Sequence, residues 1–248
     1  LRGRYQNHRF APHFHDHYSI AVILCGALAF RSAGDQHVAE PLRISAINPG
    51  EVHTGRPGAE AGWEYLHFAI PTECLARFVP ELGGAAPDIV RPVIADRELA
   101  QALASAHRAV HEDASELARD TLMTEALGLL CSRYAGKILA EKPAARSSTR
   151  AAVDYIRANF ADRIRLSELA EVARLSPYHF IRTFKRDTGL TPHAYQEHVR
   201  VADALRRLQK GLPAIEVAND VGYADQSHFI RALKRTYGMT PSLVQRAV

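Results

Sequence analysis

SPYHFIRTFKRDTGLTP at residues 176–192 and DQSHFIRALKRTYGMTP at residues 225–241 decide how this chain is read. At a constant offset of 49, nine of these seventeen positions are identical: His, Phe, Ile, Arg, Lys, Arg, Gly, Thr and Pro. Agreement that dense marks an internal duplication. Each copy has the grammar of one helix. Ser176 and Asp225 are residues that cap a helix start by accepting hydrogen bonds from its free amides. Pro177 suits the first helical position, Gly189 and Gly238 suit a left-handed end, and Pro192 and Pro241 follow. Phe180, Ile181 and Phe184, matched by Phe229, Ile230 and Leu233, form an apolar stripe toward a core.

The opposite face is basic. It holds Tyr178, His179, Arg182, Lys185 and Arg186 in the first copy, and Gln226, Ser227, Arg231, Lys234 and Arg235 in the second. Arg forks onto guanine, Gln onto adenine, and Lys or Arg further along neutralises phosphates, so such a face fits a major groove. One basic face alone would read as a solvated surface; two with the same Arg and Lys-Arg placement argue for DNA.

Working outward, each copy follows a short apolar helix, at 167–173 and 214–221, with Ala170 and Ala218 one turn from its end. Short helix, tight turn, longer basic helix is helix-turn-helix order. Between the units, 193–209 reads as one amphipathic helix with Tyr195, Val199, Ala202, Leu205 and Leu208 inward. Its seventeen residues span about 25 Å at 1.5 Å per residue. With its turns it can set two recognition helices roughly 34 Å apart, one turn of B-DNA.

Residues 150–245 resemble the AraC/XylS family of bacterial regulators. The resemblance runs from Ala218 through Gly222-Tyr223 and Ser227-His228-Phe229 to Gly238-Met239-Thr240-Pro241. It implies a seven-helix DNA-binding domain with a linker helix, bound to an extended promoter site, and an attached sensing or dimerisation domain.

Charge follows the same division. Residues 150–248 carry sixteen Lys and Arg against ten Asp and Glu, whereas residues 1–149 carry fifteen against seventeen. The basic half suits a nucleic-acid module joined to a neutral-to-acidic partner. The expected domains are 1–140, a linker at 141–149 (EKPAARSST up to Thr149) and 150–248. No run approaches the roughly 20 uncharged residues a membrane helix needs, and Cys25, Cys74 and Cys131 lack metal spacing. A reduced cytoplasmic protein with no membrane association is the expectation.

From Arg9 to about Ile70, short apolar runs (Ser19–Leu24, Leu28–Phe30, Arg43–Ile47, Tyr65–Ile70) are broken by turn signals, which argues for an antiparallel β-roll or barrel. Asp96–Glu141 then reads as two helices. In the second, Leu122, Leu129 and Leu130 with Tyr134 suggest a homodimer seam. The stretch HFHDHYSIAVILCG at 13–26 and NPGEVH at 48–53 resemble the two motifs of the cupin barrel. The resemblance places His13, His15 and His53 on the three histidine positions of metal-dependent cupins, while the carboxylate position falls on Ser19. Two readings of the histidines stay open beside a structural one: a divalent metal held without a carboxylate, or a polar cavity wall, with Trp63 and Tyr65, for a small-molecule effector.

The fold expected is therefore α+β in two domains. A cupin-like antiparallel β-barrel with following helices precedes an all-α domain of two helix-turn-helix units joined by a linker helix. The function expected is a one-component transcriptional regulator, binding double-stranded promoter DNA and an effector as a homodimer. RNA polymerase would be a further partner of an activator. No cofactor, no metal and no catalytic residue are expected. The alternative is a metal-dependent cupin enzyme carrying a DNA-binding appendage.

Overall fold

The computed structural model describes residues 1–79, 82, 84–111, 115–138 and 147–246. They form two compact units: Leu1–Arg9 with Phe14–Ala140, and Phe10–His13 with Glu141–Val248. Of the expected linker, 141–146 lie outside the described residues.

The first unit is built on an antiparallel five-stranded sheet. Its strands are β1 (Arg2–Tyr5), β3 (Tyr18–Gly26), β6 (Ile44–Ile47), β8 (Trp63–Ile70) and β10 (Val93–Ile94), in the order β1-β8-β3-β6-β10. A second sheet contains β4 (Leu28–Ser32) between β5 (Asp35–Ala39) and β7 (His53–Pro57). The strands thus fall into separate sheets and not one closed barrel, which corrects the expected closure while keeping the antiparallel class. β2 (Phe10–His13) clusters with the second unit. A short helix, α1 (Thr72–Ala76), follows β8.

Successive side chains of a strand point to opposite faces, and this sheet uses its two faces differently. Tyr18, Ile20, Val22, Ile44, Ala46, Leu66, Phe68 and Ile70 make the apolar face. They pack with Leu99, Leu103 and Ala106 of α2 (Arg97–His111) and Ala126, Leu127 and Leu130 of α3 (Glu116–Tyr134). Asp96 caps α2 through Leu99 N, and Arg133 of α3 bridges Asp96 and Glu98 at 2.8 and 2.6 Å, pinning the helix pair. The second helix, expected to continue to Glu141, ends at Tyr134. Its chain becomes β11 (Ala135–Ile138), antiparallel to β9 (Pro87–Ile89). Leu130, expected at a dimer seam, is fully buried in its own unit, while Leu122 and Leu129 are half-buried against the same core.

In the second unit the helices follow the expected order: α4 (Ser147–Ala158), α5 (Leu166–Val172), α6 (Pro177–Thr188), α7 (Pro192–Gln209), α8 (Ala214–Asp220), α9 (Gln226–Tyr237) and α10 (Pro241–Arg246). Both recognition-helix grammars hold in detail. Ser176 and Asp225 cap α6 and α9 through the amides of His179 and His228, and Gly189 and Gly238 end them at φ +79° and +69°. Of the two expected stripes Phe180, Phe184, Phe229 and Leu233 are buried, while Ile181 and Ile230 are half-buried at their edges. Along α7 the buried seam is Tyr195, Glu197, His198, Val201, Ala204 and Leu208. Tyr195 and Leu208 were expected there; Val199, Ala202 and Leu205 are half-buried at its edge. Glu197 shares that seam because it pairs with Arg235 of α9 at 3.2 Å, and the His198 ring lies 6.5 Å from that of His13; periodicity of apolar residues alone is blind to such positions.

Candidate functional site

The second unit presents two equivalent helical faces. Tyr178, His179, Arg182, Lys185 and Arg186 of α6 are all exposed, and so are Gln226, Ser227, Arg231, Lys234 and Arg235 of α9. Each face lies opposite a buried stripe, so the helix period itself sorts the two sets. Within the first face Arg182 Nη1 donates to Tyr178 Oη at 3.1 Å, and the guanidinium lies 5.6 Å from the ring centroid. Tyr178 is 65% exposed, which is unusual for a large aromatic ring with no role in a core. Two of the basic residues are already engaged within the unit. Arg186 pairs with Asp187 at 2.9 Å, and Arg235 with Glu197 of α7 at 3.2 Å. Among the described residues, Lys185, Lys234, Arg182 and Arg231 are the more available cations of the two faces.

The turns that precede α6 and α9 are close counterparts. Leu175 N donates to Ala170 O, and Tyr223 N donates to Ala218 O, both at 2.9 Å. Arg174 and Gly222 occupy the matching left-handed position, at φ +54° and +85°. Ala170 and Ala218 are both buried, in keeping with the small side chain expected there.

In the first unit the second face of the five-stranded sheet carries polar and aromatic side chains. By register Gly3 and Tyr5 of β1, Trp63, Tyr65 and His67 of β8, Ser19, Ala21 and Ile23 of β3, and Ser45 and Ile47 of β6 share it. Tyr5, Trp63 and Tyr65 stand as near-parallel rings: centroids are 5.2 Å apart for Tyr5–Trp63, 6.0 Å for Tyr5–Tyr65 and 6.5 Å for Trp63–Tyr65. Ser19, which occupies the carboxylate position of the cupin motif, hydrogen-bonds instead to His67 Nε2 at 2.8 Å. Burial, with the neighbouring His17 adding to it, pushes His67 down to about 3, so its imidazole is neutral at physiological pH. Burial also raises the Tyr65 phenol well above its ordinary value. None of these strand residues is an Asp, Glu, Lys or Arg.

Of the three motif histidines, His15 and His53 come together in the first unit, with ring centroids 5.1 Å apart, and His17 stacks on His15 at 4.7 Å. His53 Nδ1 donates to Glu51 O at 2.9 Å, which orients the ring with Nε2 as the acceptor. His13 belongs to the segment grouped with the second unit. Its Nδ1 donates to Ala11 O at 2.7 Å, and burial lowers it to about 4. A histidine fixed through Nδ1 is oriented to ligate a metal or hydrogen-bond a neutral ligand through Nε2. Tyr5 and His67 were not anticipated from the sequence. The signal for His67 was its register two residues from Tyr65 on one strand face, and Tyr5 becomes visible only through the long-range pairing of β1 with β8.

Two family models match the chain: an AraC-like ligand binding domain over residues 1–127 and a helix-turn-helix domain over residues 169–247. The chain is 26% identical over 222 residues to the HTH-type transcriptional regulator YbfI of Bacillus subtilis, covering 88% of this chain and 81% of that protein. ToxT of Vibrio cholerae shares the fold, with a TM-score of 0.59, 12% identity and coverage of 97% of this chain and 93% of that one. The unsaturated fatty acid-bound form of wild-type ToxT gives a TM-score of 0.61 at 12% identity, over 98% of this chain and 93% of its own. With a helix-turn-helix domain following an AraC-like ligand-binding domain along the sequence, the chain belongs to the AraC family of transcriptional regulators.

Proposed function

We propose that α6 and α9 both read promoter DNA, with Arg182, Lys185, Gln226, Ser227 and Arg231 as the principal contacts, and Tyr178, His179, Arg186, Lys234 and Arg235 completing the two faces. The observation that supports this reading is the repetition of one exposed Arg and Lys-Arg arrangement on two helices with the same caps and the same left-handed ends. Arg182 is pre-organised by Tyr178, so less side-chain freedom is lost when it forks onto a base. The test is selection of bound duplexes from a random pool by the full chain, followed by binding at fixed salt. A shared sequence with two contacted segments is the expected outcome. Enrichment of no sequence refutes the reading.

The effector is proposed to lie in the first unit, on the polar face of the five-stranded sheet, against Trp63, Tyr65, His15 and His53, with Tyr5, Ser19 and His67 added from the structure; His13, expected with them from the sequence, falls in the segment grouped with the second unit. Flat rings supply stacking area, and neutral Ser, His and Tyr groups supply hydrogen bonds. A face with no formal charge favours an uncharged ligand, because it would leave a carboxylate or ammonium desolvated and unpaired. ToxT is known with an unsaturated fatty acid bound; the lining here fits a neutral ring-bearing or hydroxyl-rich molecule better. The regulatory response should be lost in a Trp63→Ala, Tyr65→Ala double variant that still binds DNA. A retained response would move the effector elsewhere.

The remaining parts of this reading are a cytoplasmic homodimer without enzymatic activity, and contact with RNA polymerase if it activates. Leu122 and Leu129 of α3, half-buried on one face of the helix, are the surface proposed for dimerisation. Effector binding that changes DNA affinity must be matched by an equal effect of DNA on effector affinity.

A further inference from the structure

The chain between α4 and α5 is held by side chains of the linker helix. After α4 ends at Ala158, the carbonyls of Phe160, Ala161 and Asp162 turn toward α7. Arg200 donates Nε to Phe160 O at 2.6 Å, and Nη2 to Ala161 O at 3.2 Å and Asp162 O at 2.9 Å. Gln196 Nε2 adds Phe160 O at 3.0 Å and Asp162 O at 2.8 Å. One planar guanidinium and one amide therefore satisfy three consecutive carbonyls beyond a helix end, where carbonyls lack intrahelical partners.

The same loop is the seat of the second helix-turn-helix unit. Gly222, in the turn between α8 and α9, lies so close to the Ala161 carbonyl that a Cβ there would stand inside its van der Waals shell. Tyr223, the next residue, is buried beneath the Arg200 guanidinium, 5.8 Å from its ring centroid. It packs on Phe229 of α9 at 5.5 Å. Glu197, one residue from Gln196, pairs with Arg235 of α9. Within about one turn of α7, then, the chain leaving α4, the turn before α9 and α9 itself are all gripped. On the other side Tyr195 of the same turn packs edge-on against Phe184 of α6 at 5.5 Å.

We propose that Arg200 is a positioning residue which, with Gln196 and the close seat of Gly222, fixes the spacing and angle between the two recognition helices. The proposal rests on the reading of α6 and α9 as two DNA-contacting helices. Two rigidly phased helices gain affinity from each other only on DNA whose segments have the matching spacing. One inserted base pair rotates the second segment by roughly 34–36° and moves it by about 3.4 Å, since a helical turn holds 10–10.5 base pairs. A loosened pair would be weaker on the matching site and more tolerant of other spacings, because the second contact becomes a tethered encounter instead of a preset one.

The experiment uses the full chain and the duplex that the wild-type protein selects from a random pool. Affinity is measured by fluorescence anisotropy at fixed salt on that duplex and on duplexes with one base pair inserted or deleted between the two contacted segments. The wild type should lose about tenfold or more on each altered spacing. Arg200→Met and the milder Gln196→Ala should bind the original site less tightly but lose less than about threefold on altered spacing. Circular dichroism and a thermal melt establish that each variant is folded; if Arg200→Met is not, Gln196→Ala decides. Folded variants with the wild-type spacing penalty overturn the clamp. A wild type that selects a single contacted segment overturns the clamp and the two-helix reading together. One that selects no duplex at all removes the DNA contacts assigned to both faces.

Discussion

The two helix-turn-helix units make one turn with two different residues. In the first, Arg174 takes the left-handed position at φ +54° and its side chain is exposed. In the second, Gly222 takes it at φ +85° with the Ala161 carbonyl where a Cβ would go. A left-handed φ costs a non-glycine residue roughly 1–2 kcal/mol, and the first unit accepts that strain. Backbone conformation alone therefore does not demand glycine at 222; close approach of another backbone does. The difference records how each unit is used: the first turn faces open surroundings, and the second is pressed against the loop that Arg200 and Gln196 hold.

The strongest way to break that comparison is to exchange the residues. Gly222→Arg should destabilise the second unit by about 3 kcal/mol or more, combining left-handed strain with a clash that the clamped loop has no room to relieve. Arg174→Gly should shift stability by no more than about 0.5–1 kcal/mol, because relief of strain and the added freedom of the unfolded chain oppose each other. Urea denaturation of the full chain, followed by helical circular dichroism, measures both. Equal effects at the two positions would mean that φ alone sets the residue and that the packing of Gly222 carries no weight.

A smaller effect sharpens the comparison at the DNA faces. Arg182→Ala and Arg231→Ala should each cost about 1–3 kcal/mol on the selected duplex if each reads a base. Tyr178→Phe should weaken binding by a fraction of the Arg182 effect, since it removes only the hydroxyl that holds Arg182 at 3.1 Å. A loss at Arg182 with none at Arg231, read by gel shift at fixed salt, would assign firm docking to the first unit alone. Wild-type affinity in both would dismiss the two-groove arrangement.

What could be read from the sequence was what local chemistry determines. Caps at Ser176 and Asp225, left-handed ends at Gly189 and Gly238 and the buried stripes of α6 and α9 all depend on residues within two turns of each other. The internal repeat supplied the paired units and the amphipathic period of 193–209 the helix between them, while the family resemblance added the seven-helix count and the attached sensing domain. The faces of the five-stranded sheet were harder to read. β1 and β5 are short and polar, with sequences RGRY and DQHVA, and form strands through pairing partners elsewhere along the chain. The Ser19–His67 bond joins residues 48 positions apart. The Arg200 clamp was hidden for a related reason: its partners are backbone carbonyls, which have no identity in a sequence. Only Gly222 left a trace of it, and that trace looks like an ordinary turn until it is set beside Arg174.

The smallest expected difference lies at the helix starts, where the two units use different chemistry for one task. Ser176 accepts from His179 N at 3.5 Å, a long and weak bond, whereas Asp225 accepts from His228 N at 2.7 Å. A carboxylate at a helix start also interacts favourably with the positive end of the helix dipole. Asp225→Ala should therefore cost about 1–2 kcal/mol and Ser176→Ala about 0.5–1 kcal/mol. On DNA the order should reverse for a charge reason. Placing a carboxylate in the first face by Ser176→Asp should stabilise α6 by a few tenths of a kcal/mol, yet weaken promoter binding at low salt, because the new anion faces phosphates beside Tyr178 and His179. The converse change, Asp225→Ser, should cost a little stability and strengthen binding at low salt. Raising the salt should shrink both binding effects, since exposed charges farther apart than about 10 Å are largely screened at 0.1 M. Denaturation midpoints paired with affinities at two salt concentrations measure each of these effects. Caps of equal strength, or binding effects that ignore salt, would show that Ser and Asp are interchangeable here and that neither helix start approaches the DNA backbone.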